Sequence, residues 1–318
     1  MARVTILVSA AGSTNGVNVI KALRSQNEYD VRIIGIDSDI HAVGLYLADQ
    51  YEIVPKVSAP AFKDRFLQIC KKYYVDIVIP TYSAELQFYS SNPESLKEIG
   101  VKMMISPVKS LEICNDKLKM ANFFHELGAK CPKVYDVSNI SNISEACFPL
   151  FIKSRFGSGS SYARKISDYD ELNFYLERTP APIIQDYIEG VEYTVNVISD
   201  YESRVVGVLP IKRLRVRGGL AIVAETELNL GLIEETKRIV EALNLVGPSN
   251  VQVIIRDKEQ IFIEVNPRFA SGSLPLAVAS GLNIPLIMVK LMLGEPIPKL
   301  CLKNEKKMIR YWDFMIVD

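Results

Sequence analysis

Histidine is nearly absent from this chain, which carries only His41 and His125 in 318 residues. A histidine-rich metal site is thereby excluded, and no Ser-His-Asp triad has support. His125 lies in the helical pattern LKMANFFHELG, where a surface or internally satisfied histidine is the plain reading. Cysteine is sparse too. Cys70, Cys114, Cys131, Cys147 and Cys301 are odd in number and form no C-x-x-C pair, which argues against a disulfide framework and against structural zinc. A reducing cytoplasm fits that usage. Charge of either sign is not in excess: 37 basic and 37 acidic residues cancel, so no global field attracts nucleic acid or an anionic membrane. No apolar run approaches the roughly 20 residues of a spanning helix. The opening MARVTILVSAAGS resembles a signal peptide only superficially, because its apolar stretch has strand length and runs into a glycine turn. Internal repeats, low-complexity segments and coiled-coil heptads are absent.

What is present is the composition of a soluble globular protein, 48% hydrophobic and 23% charged, and the length suits two or three lobes. Val4–Ser9 reads as a buried strand, AAGSTNG as a turn, and Val17, Ile20 and Leu23 as the apolar face of a helix. A second strand, VRIIGID (31–37), completes a βαβ unit with a parallel sheet. Asp37 ends that strand where a dinucleotide fold would hold a ribose. The turn, however, has only Gly12 and Gly16 and no third glycine, so the NAD signal is weak. A helix around 62–74 and the strand VDIVIP (75–80) follow. Thr81, Ser83 and Glu85 come just after it, where α/β sheets bind ligands. They are candidates for touching a small substrate, or Ser83 simply caps a helix. VKMMIS (101–106) reads as the strand that closes this part.

Residues 108–128 read as one helix stopped by Gly128. Farther on, Phe151-Ile152-Lys153 is a strand that sets a lysine beside the glycine loop 156–161. Backbone N–H groups of Gly157, Ser158, Gly159 and Ser160 can converge on phosphate oxygens, and the lysine adds a point charge. No Gly-Lys-Ser/Thr follows, so this is not a Walker A loop. Gln185-Asp186-Tyr187-Ile188 is an apolar strand end that passes into a bend at Gly190. Such a bend can offer backbone groups to a purine edge, with Glu192 beyond it able to accept from ribose hydroxyls. In LPIKRLRVRGG a strand would set Arg213, Arg215 and Arg217 on one face. They form either an exposed sheet face or a positive wall over phosphates or a carboxylate.

The stretch that organises these pieces is QVIIRDKEQIFIEVNPRFASG (252–272). Two β-branched runs flank the polar turn Asp257–Gln260 and read as a hairpin. Side chains alternate along a strand, so Glu264 and Asn266 share a face, and Gln252 on the partner strand can join them. Oxygen ligands of this kind suit Mg2+, or Mn2+ in its place, rather than zinc. Pro267 ends the strand, and Arg268 beyond it is suited to a polyphosphate. The same string also describes an ordinary buried hairpin with a polar tip. The apolar LPLAVASGLNIPLIMVKLMLG that follows is helical in period and is expected to pack under the hairpin. The tail KKMIRYWDFMIVD can add a last strand.

The ordered set of a DK helix, a strand lysine, a glycine loop, the QDYIEGVEYTV hinge and a terminal IEVNPR resembles the ATP-grasp superfamily. Its members similar to the carbamoyl phosphate synthase large chain match best, over roughly residues 4–300. The resemblance implies an α/β fold, with a Rossmann-like (pre-ATP-grasp) parallel-sheet lobe over 1–107 and two α+β lobes over 108–186 and 187–318. It implies that Lys117 and Lys153 contact ATP phosphates under the glycine loop. Adenine would lie against Gln185, Asp186, Tyr187 and Ile188, with Glu192 on the ribose. Gln252, Glu264 and Asn266 would hold Mg2+, while Arg268 faces the transferring phosphoryl group. In this family a carboxylate attacks the γ-phosphate, and an amine then displaces phosphate from the acylphosphate. The implied partners are small carboxylate and amine substrates of amino-acid type, with neither nucleic acid nor membrane, and a homodimer is permitted without being required. Gln185 departs from relatives that often carry an acid there, and 269–273 is poorer in glycine than in many. A full carbamoyl phosphate synthase large chain carries two such modules and this chain one, so carbamoyl phosphate synthesis itself is not expected. A kinase-like enzyme that stops at the acylphosphate, or a nucleotide-binding module without turnover, would share the same ATP half.

Overall fold

Val4, Ile6 and Val8 alternate with Thr5 and Leu7 along the first strand, and both faces of that strand are buried. Near-continuous apolar sequence of this kind belongs to a parallel sheet covered on both sides. The structure, a computed structural model, describes residues 3–138, 143–157 and 162–317. Strands β1 (Arg3–Ser9), β2 (Asp30–Asp37), β3 (Gln50–Ile53) and β4 (Ile77–Ile79) form a parallel sheet of order β3-β2-β1-β4. Helices α1 (Thr14–Arg24), α2 (Val43–Leu47) and α3 (Phe62–Tyr73) make the crossovers. Leu7, Ile34 and Val78 pack against Phe62, Phe66 and Ile69 of α3. Val4, Ile6 and Ile33 pack against Val19, Ile20 and Leu23 of α1. Helices α4 (Ser83–Ser90) and α5 (Pro93–Glu98) follow the last strand.

After α6 (Val108–Asn115) and α7 (Lys117–Leu127), a small antiparallel sheet of order β5-β8-β6-β7 is built from β5 (Val134–Tyr135), β6 (Leu150–Ser154), β7 (Arg164–Ile166) and β8 (Pro182–Asp186). Helix α8 (Tyr169–Leu176) covers it through Leu172. The remaining strands are β9 (Val191–Ser199), β10 (Val205–Arg217), β11 (Leu220–Thr226), β12 (Gly247–Arg256), β13 (Glu259–Asn266) and β14 (Lys307–Ile309). They form an antiparallel sheet of order β13-β12-β9-β10-β11-β14. Alternation sorts its two faces. Tyr193, Val195 and Val197 face α9 (Leu230–Ala242) and α7, whereas Ile198, Leu209 and Ile211 share a core with the parallel-sheet lobe. The chain is therefore the expected α/β fold, a parallel-sheet lobe followed by two antiparallel α+β units.

The apolar segment after the hairpin forms α10 (Leu274–Ala279) and α11 (Ile284–Leu293), wedged between the large sheet and α1. That wedge joins two lobes, whereas the hairpin's own apolar residues, Val251, Val253, Phe262 and Val265, pack with α7 and α9 rather than on this segment as expected. The tail adds β14 on the edge of β11, as expected. Among the described residues no helix is long and apolar enough to cross a membrane.

Four local expectations need correction. The helix read over 108–128 is two helices, because Asp116 is extended (φ −121°, ψ 105°) and caps the second one with its carboxylate. VKMMIS makes only a single bridge, Lys102 to Ile77, rather than a strand. Ser83 is the first residue of α4 and not its cap, since Tyr82 holds the cap position without a side-chain bond. Arg213, Arg215 and Arg217 do not line up on one regular face, because register shifts at 213/215 and 215/216 break the alternation.

Candidate active site

Asp257 and Lys258 both take positive φ (49° and 71°), which makes the β12–β13 connection a two-residue turn whose twist matches its strands. That tight turn fixes the register, with Gln252 opposite Glu264 and Asn250 opposite Asn266. Ile263 is an extra residue between the pairings of Glu264 and Phe262, a bulge that re-aims the strand just before the acid. The Asn266 amide donates to Glu264 Oε1 (3.1 Å), and Arg268 Nη2 donates to Asn266 Oδ1 (3.3 Å). Arg268 also donates from Nε to Ser83 Oγ (2.9 Å) and from Nη1 to the Phe269 carbonyl (3.0 Å). Buried Asn250 donates to the Arg268 carbonyl (2.9 Å).

Across from the hairpin, β6 presents Lys153, only 7% exposed. Burial pushes its ammonium down to about 8, with Glu264 opposing and Lys117 reinforcing the shift. Burial lowers Lys117 as well, again against Glu264. The two ammonium groups stand close together, and burial outweighs the nearby Glu264 and Asp116 carboxylates at Lys117, an arrangement that favours a polyanion beside the lysines. Lys117 Nζ reaches the Gly157 carbonyl (2.8 Å). Its helix is fastened to the same loop by Arg155, which donates from Nε and Nη2 to the two Asp116 oxygens (2.7 and 2.6 Å).

Between the small and large sheets lies a cavity of about 640 Å3. Lys117, Lys153, Gly157, the run Gln185–Ile188, Glu192, Gln252, Glu264, Asn266 and Arg268 all line it. The structure thus brings together every residue expected around the nucleotide and its cation that it describes. Ser158, Gly159 and Ser160 lie outside the described residues. Asp186 accepts from Tyr135 Oη (2.7 Å) and commits its own N–H to the Lys133 carbonyl (3.0 Å). Among the described residues the Ile188 N–H has no partner. Gly190 allows the bend to press on β12, because a Cβ there would stand 2.6 Å from the Ile255 carbonyl oxygen. Aromatic rings of Phe151, Phe156, Tyr162 and Tyr187 add apolar wall.

A second cavity of about 290 Å3 adjoins the first and shares Gln252, Glu264, Asn266 and Arg268 with it. Its other walls come from the parallel-sheet lobe, including Thr81 and Ser83, and from the β10–β11 turn. Glu85, expected beside them, does not line it. That carboxyl turns inward to accept from Ser9 Oγ. Asp37 is likewise engaged at home, accepting from the Gly12 N–H (2.8 Å).

A divalent cation suits the donor set at the seam. The Glu264 carboxylate and the amide oxygens of Asn266 and Gln252, which here accept from Arg268 and Arg213, are hard ligands of the kind that Mg2+ takes. Among the described residues no group of three or more His, Cys, Asp and Glu side chains could hold a metal. A cation here therefore depends on one carboxylate, amide oxygens and oxygens of its ligand.

The sequence profile of the ATP-grasp domain matches residues 114–272, half of the chain and all of this seam, and that of the PylC-like N-terminal domain matches residues 6–104. The chain belongs to the ATP-grasp family. It is similar to the carbamoyl phosphate synthase large chain of Thermoanaerobacter sp. (strain X514), 30% identical over 231 residues that cover 66% of this chain and 21% of the relative. The chain spans about a fifth of the length of the curated relatives it matches. In fold it is similar to the biotin carboxylase–β,γ-ATP complex from Campylobacter jejuni (TM-score 0.73, 17% identity, 94% of this chain and 73% of that one). It is also similar to the L-amino acid ligase from Bacillus licheniformis (TM-score 0.69, 15% identity, 92% and 74%).

Three residues of this ATP-grasp site escape a reading by motif. Asp116 and Arg155 sit next to predicted lysines, yet nothing in their spacing announces the pair between them. Asn250 is one of many strand residues, and only the hairpin register sets it opposite Asn266.

Proposed function

We propose that this chain is an ATP- and Mg2+-dependent ligase that activates a carboxylate as an acylphosphate and joins it to an amine, releasing ADP and phosphate. The observation that carries this reading is the pair of cavities meeting at Gln252, Glu264, Asn266 and Arg268. A nucleotide long enough to fill the larger cavity would put its terminal phosphate at the seam, and an acceptor in the smaller one would meet it there.

In this reading Lys117 and Lys153 neutralise the polyphosphate, and the Ile188 N–H together with the aromatic wall takes the adenine. Glu192 takes the ribose. Mg2+ held by Glu264, Asn266 and Gln252 would offset charge on the β- and γ-phosphates. A carboxylate oxygen of the acceptor attacks the γ-phosphorus, and the bond from that phosphorus to the β-phosphate oxygen breaks with its electron pair going to ADP. The amine then attacks the acyl carbon, the C–O bond to phosphate breaks, and the nitrogen gives its proton to solvent. Little covalent chemistry falls to the protein. Positioning and charge neutralisation supply the rate, and Arg268, anchored at three N–H positions, is organised in advance for the charge that moves across the seam.

The test is product analysis with purified protein, Mg-ATP and pooled acids and amines. ADP plus phosphate, formed only with both co-substrates, is the expected result. ADP with an acid alone would assign a kinase-like enzyme, and AMP plus pyrophosphate would overturn the mechanism.

A further inference from the structure

Two guanidinium groups face the smaller cavity with N–H groups to spare. Arg268 uses Nε, one N–H of Nη1 and one of Nη2 on Ser83, Phe269 and Asn266, which leaves one N–H on each of Nη1 and Nη2. Arg213 has a side chain only 8% exposed. Its Nη1 donates to Glu192 Oε2 (2.8 Å) and Gln252 Oε1 (3.1 Å), and its Nη2 donates to the Gly219 carbonyl (2.7 Å). Among the described residues nothing takes its Nε N–H or one N–H of Nη2. Guanidinium N–H groups are suited to a carboxylate. An anionic ligand in the cavity would give these N–H groups charged acceptors.

The two guanidinium groups serve different places. Arg268 lines both cavities, whereas Arg213 lines only the smaller one. A phosphate of the nucleotide therefore accounts for Arg268 and leaves Arg213 for the acceptor. Glu264 is the only carboxylate among the described residues that line the smaller cavity. Arg213 is met by Glu192 on one nitrogen only and keeps N–H groups free for a second anion, while no further carboxylate of this lining waits for an ammonium. The volume of about 290 Å3 corresponds to roughly ten non-hydrogen atoms, at about 30 Å3 for each water-sized unit.

We propose that the smaller cavity takes a short dicarboxylate, with one carboxylate at the seam beside Arg268 for phosphorylation and the distal carboxylate read by Arg213. This rests on the ligase reading above and narrows its acid substrate.

The experiment compares matched acids with Mg-ATP and hydroxylamine, which traps an acylphosphate as a hydroxamate. The pairs are butyrate with succinate, and 2-aminobutyrate with aspartate and glutamate. ADP and hydroxamate are read for the unmodified protein and for Arg213→Gln, with ATP binding measured separately. At least one dicarboxylate is expected to exceed its monocarboxylate partner by about tenfold or more in kcat/KM, and Arg213→Gln is expected to erase that preference. Equal turnover of both classes, or a preference that survives in Arg213→Gln, overturns the dicarboxylate assignment and leaves the ligase reading standing. Absence of ADP with every acid, despite ATP binding, overturns both.

Discussion

Asp116 grips Arg155 through two parallel hydrogen bonds of 2.7 and 2.6 Å, and in doing so joins the helix that carries Lys117 to the strand exit that carries Lys153. The same carboxylate caps α7 by accepting from the Leu118 and Lys119 N–H groups. One side chain thus sets both the start of the helix and the spacing of the two cavity-lining lysines.

Asp116→Asn separates those roles, because the amide keeps an oxygen for the cap and loses the charge on Arg155. The pairing tethers the start of α7 to the exit of β6, so its loss loosens the two lysines and should weaken ATP binding by roughly fivefold. Calorimetric titration with a non-hydrolysable ATP analogue should show that loss with Tm little changed. A Tm collapse would mean that the cap was the larger role.

Ser83→Ala removes the acceptor of Arg268 Nε and leaves its other two anchors. The guanidinium then wanders at the seam, and kcat should fall by about tenfold while ATP affinity stays constant. Steady-state kinetics alongside ATP binding separates the two. An unchanged kcat would remove Ser83 from the positioning of Arg268.

Burial raises the Glu85 carboxyl to about 7 from an ordinary 4.5, with the Ser9 bond opposing and the charge of Asp37 adding. A carboxyl raised on folding holds its proton in the native state while the unfolded chain has lost it. Its contribution to stability is full below pH 4.5 and is lost as pH rises toward 7. Glu85→Gln should therefore gain Tm over the unmodified protein at pH 8 relative to the same comparison at pH 4.5. Thermal melts of both proteins across this range check the sign, and a difference independent of pH would refute it.

Phe262 is buried against Phe124 of α7, with ring centroids 6.0 Å apart, beside the bulge that aims Glu264. Phe262→Ala should cost about 3–5 kcal/mol in chemical denaturation. Turnover should fall as well, since the bulge loses its backing. A loss below about 1 kcal/mol would mean that the site collapses around the gap.

The chain order of lysine, glycine loop, hinge and acid–amide strand was legible because each depends on local rules. Strand period alone set Glu264 and Asn266 on one face, and the polar run Asp257–Gln260 signalled the hairpin that brings Gln252 across, although the structure narrows the turn itself to Asp257–Lys258. The parallel-sheet lobe was equally legible from its buried strands and amphipathic helices. Local rules do not choose partners. Lys117 faces the cavity while Lys119, two residues on, is exposed near Glu112, and only the packing of Met120 and Phe124 on the large sheet fixes that rotation. Arg213 is one of four similar cations on a strand, and register shifts beside it give it, rather than Arg215 or Arg217, the contacts with Glu192 and Gln252. The sequence by itself determined which chemistry was available. The long-range contacts, set by bulges, caps and the meeting of three sheets, decided which residues of each type face the seam.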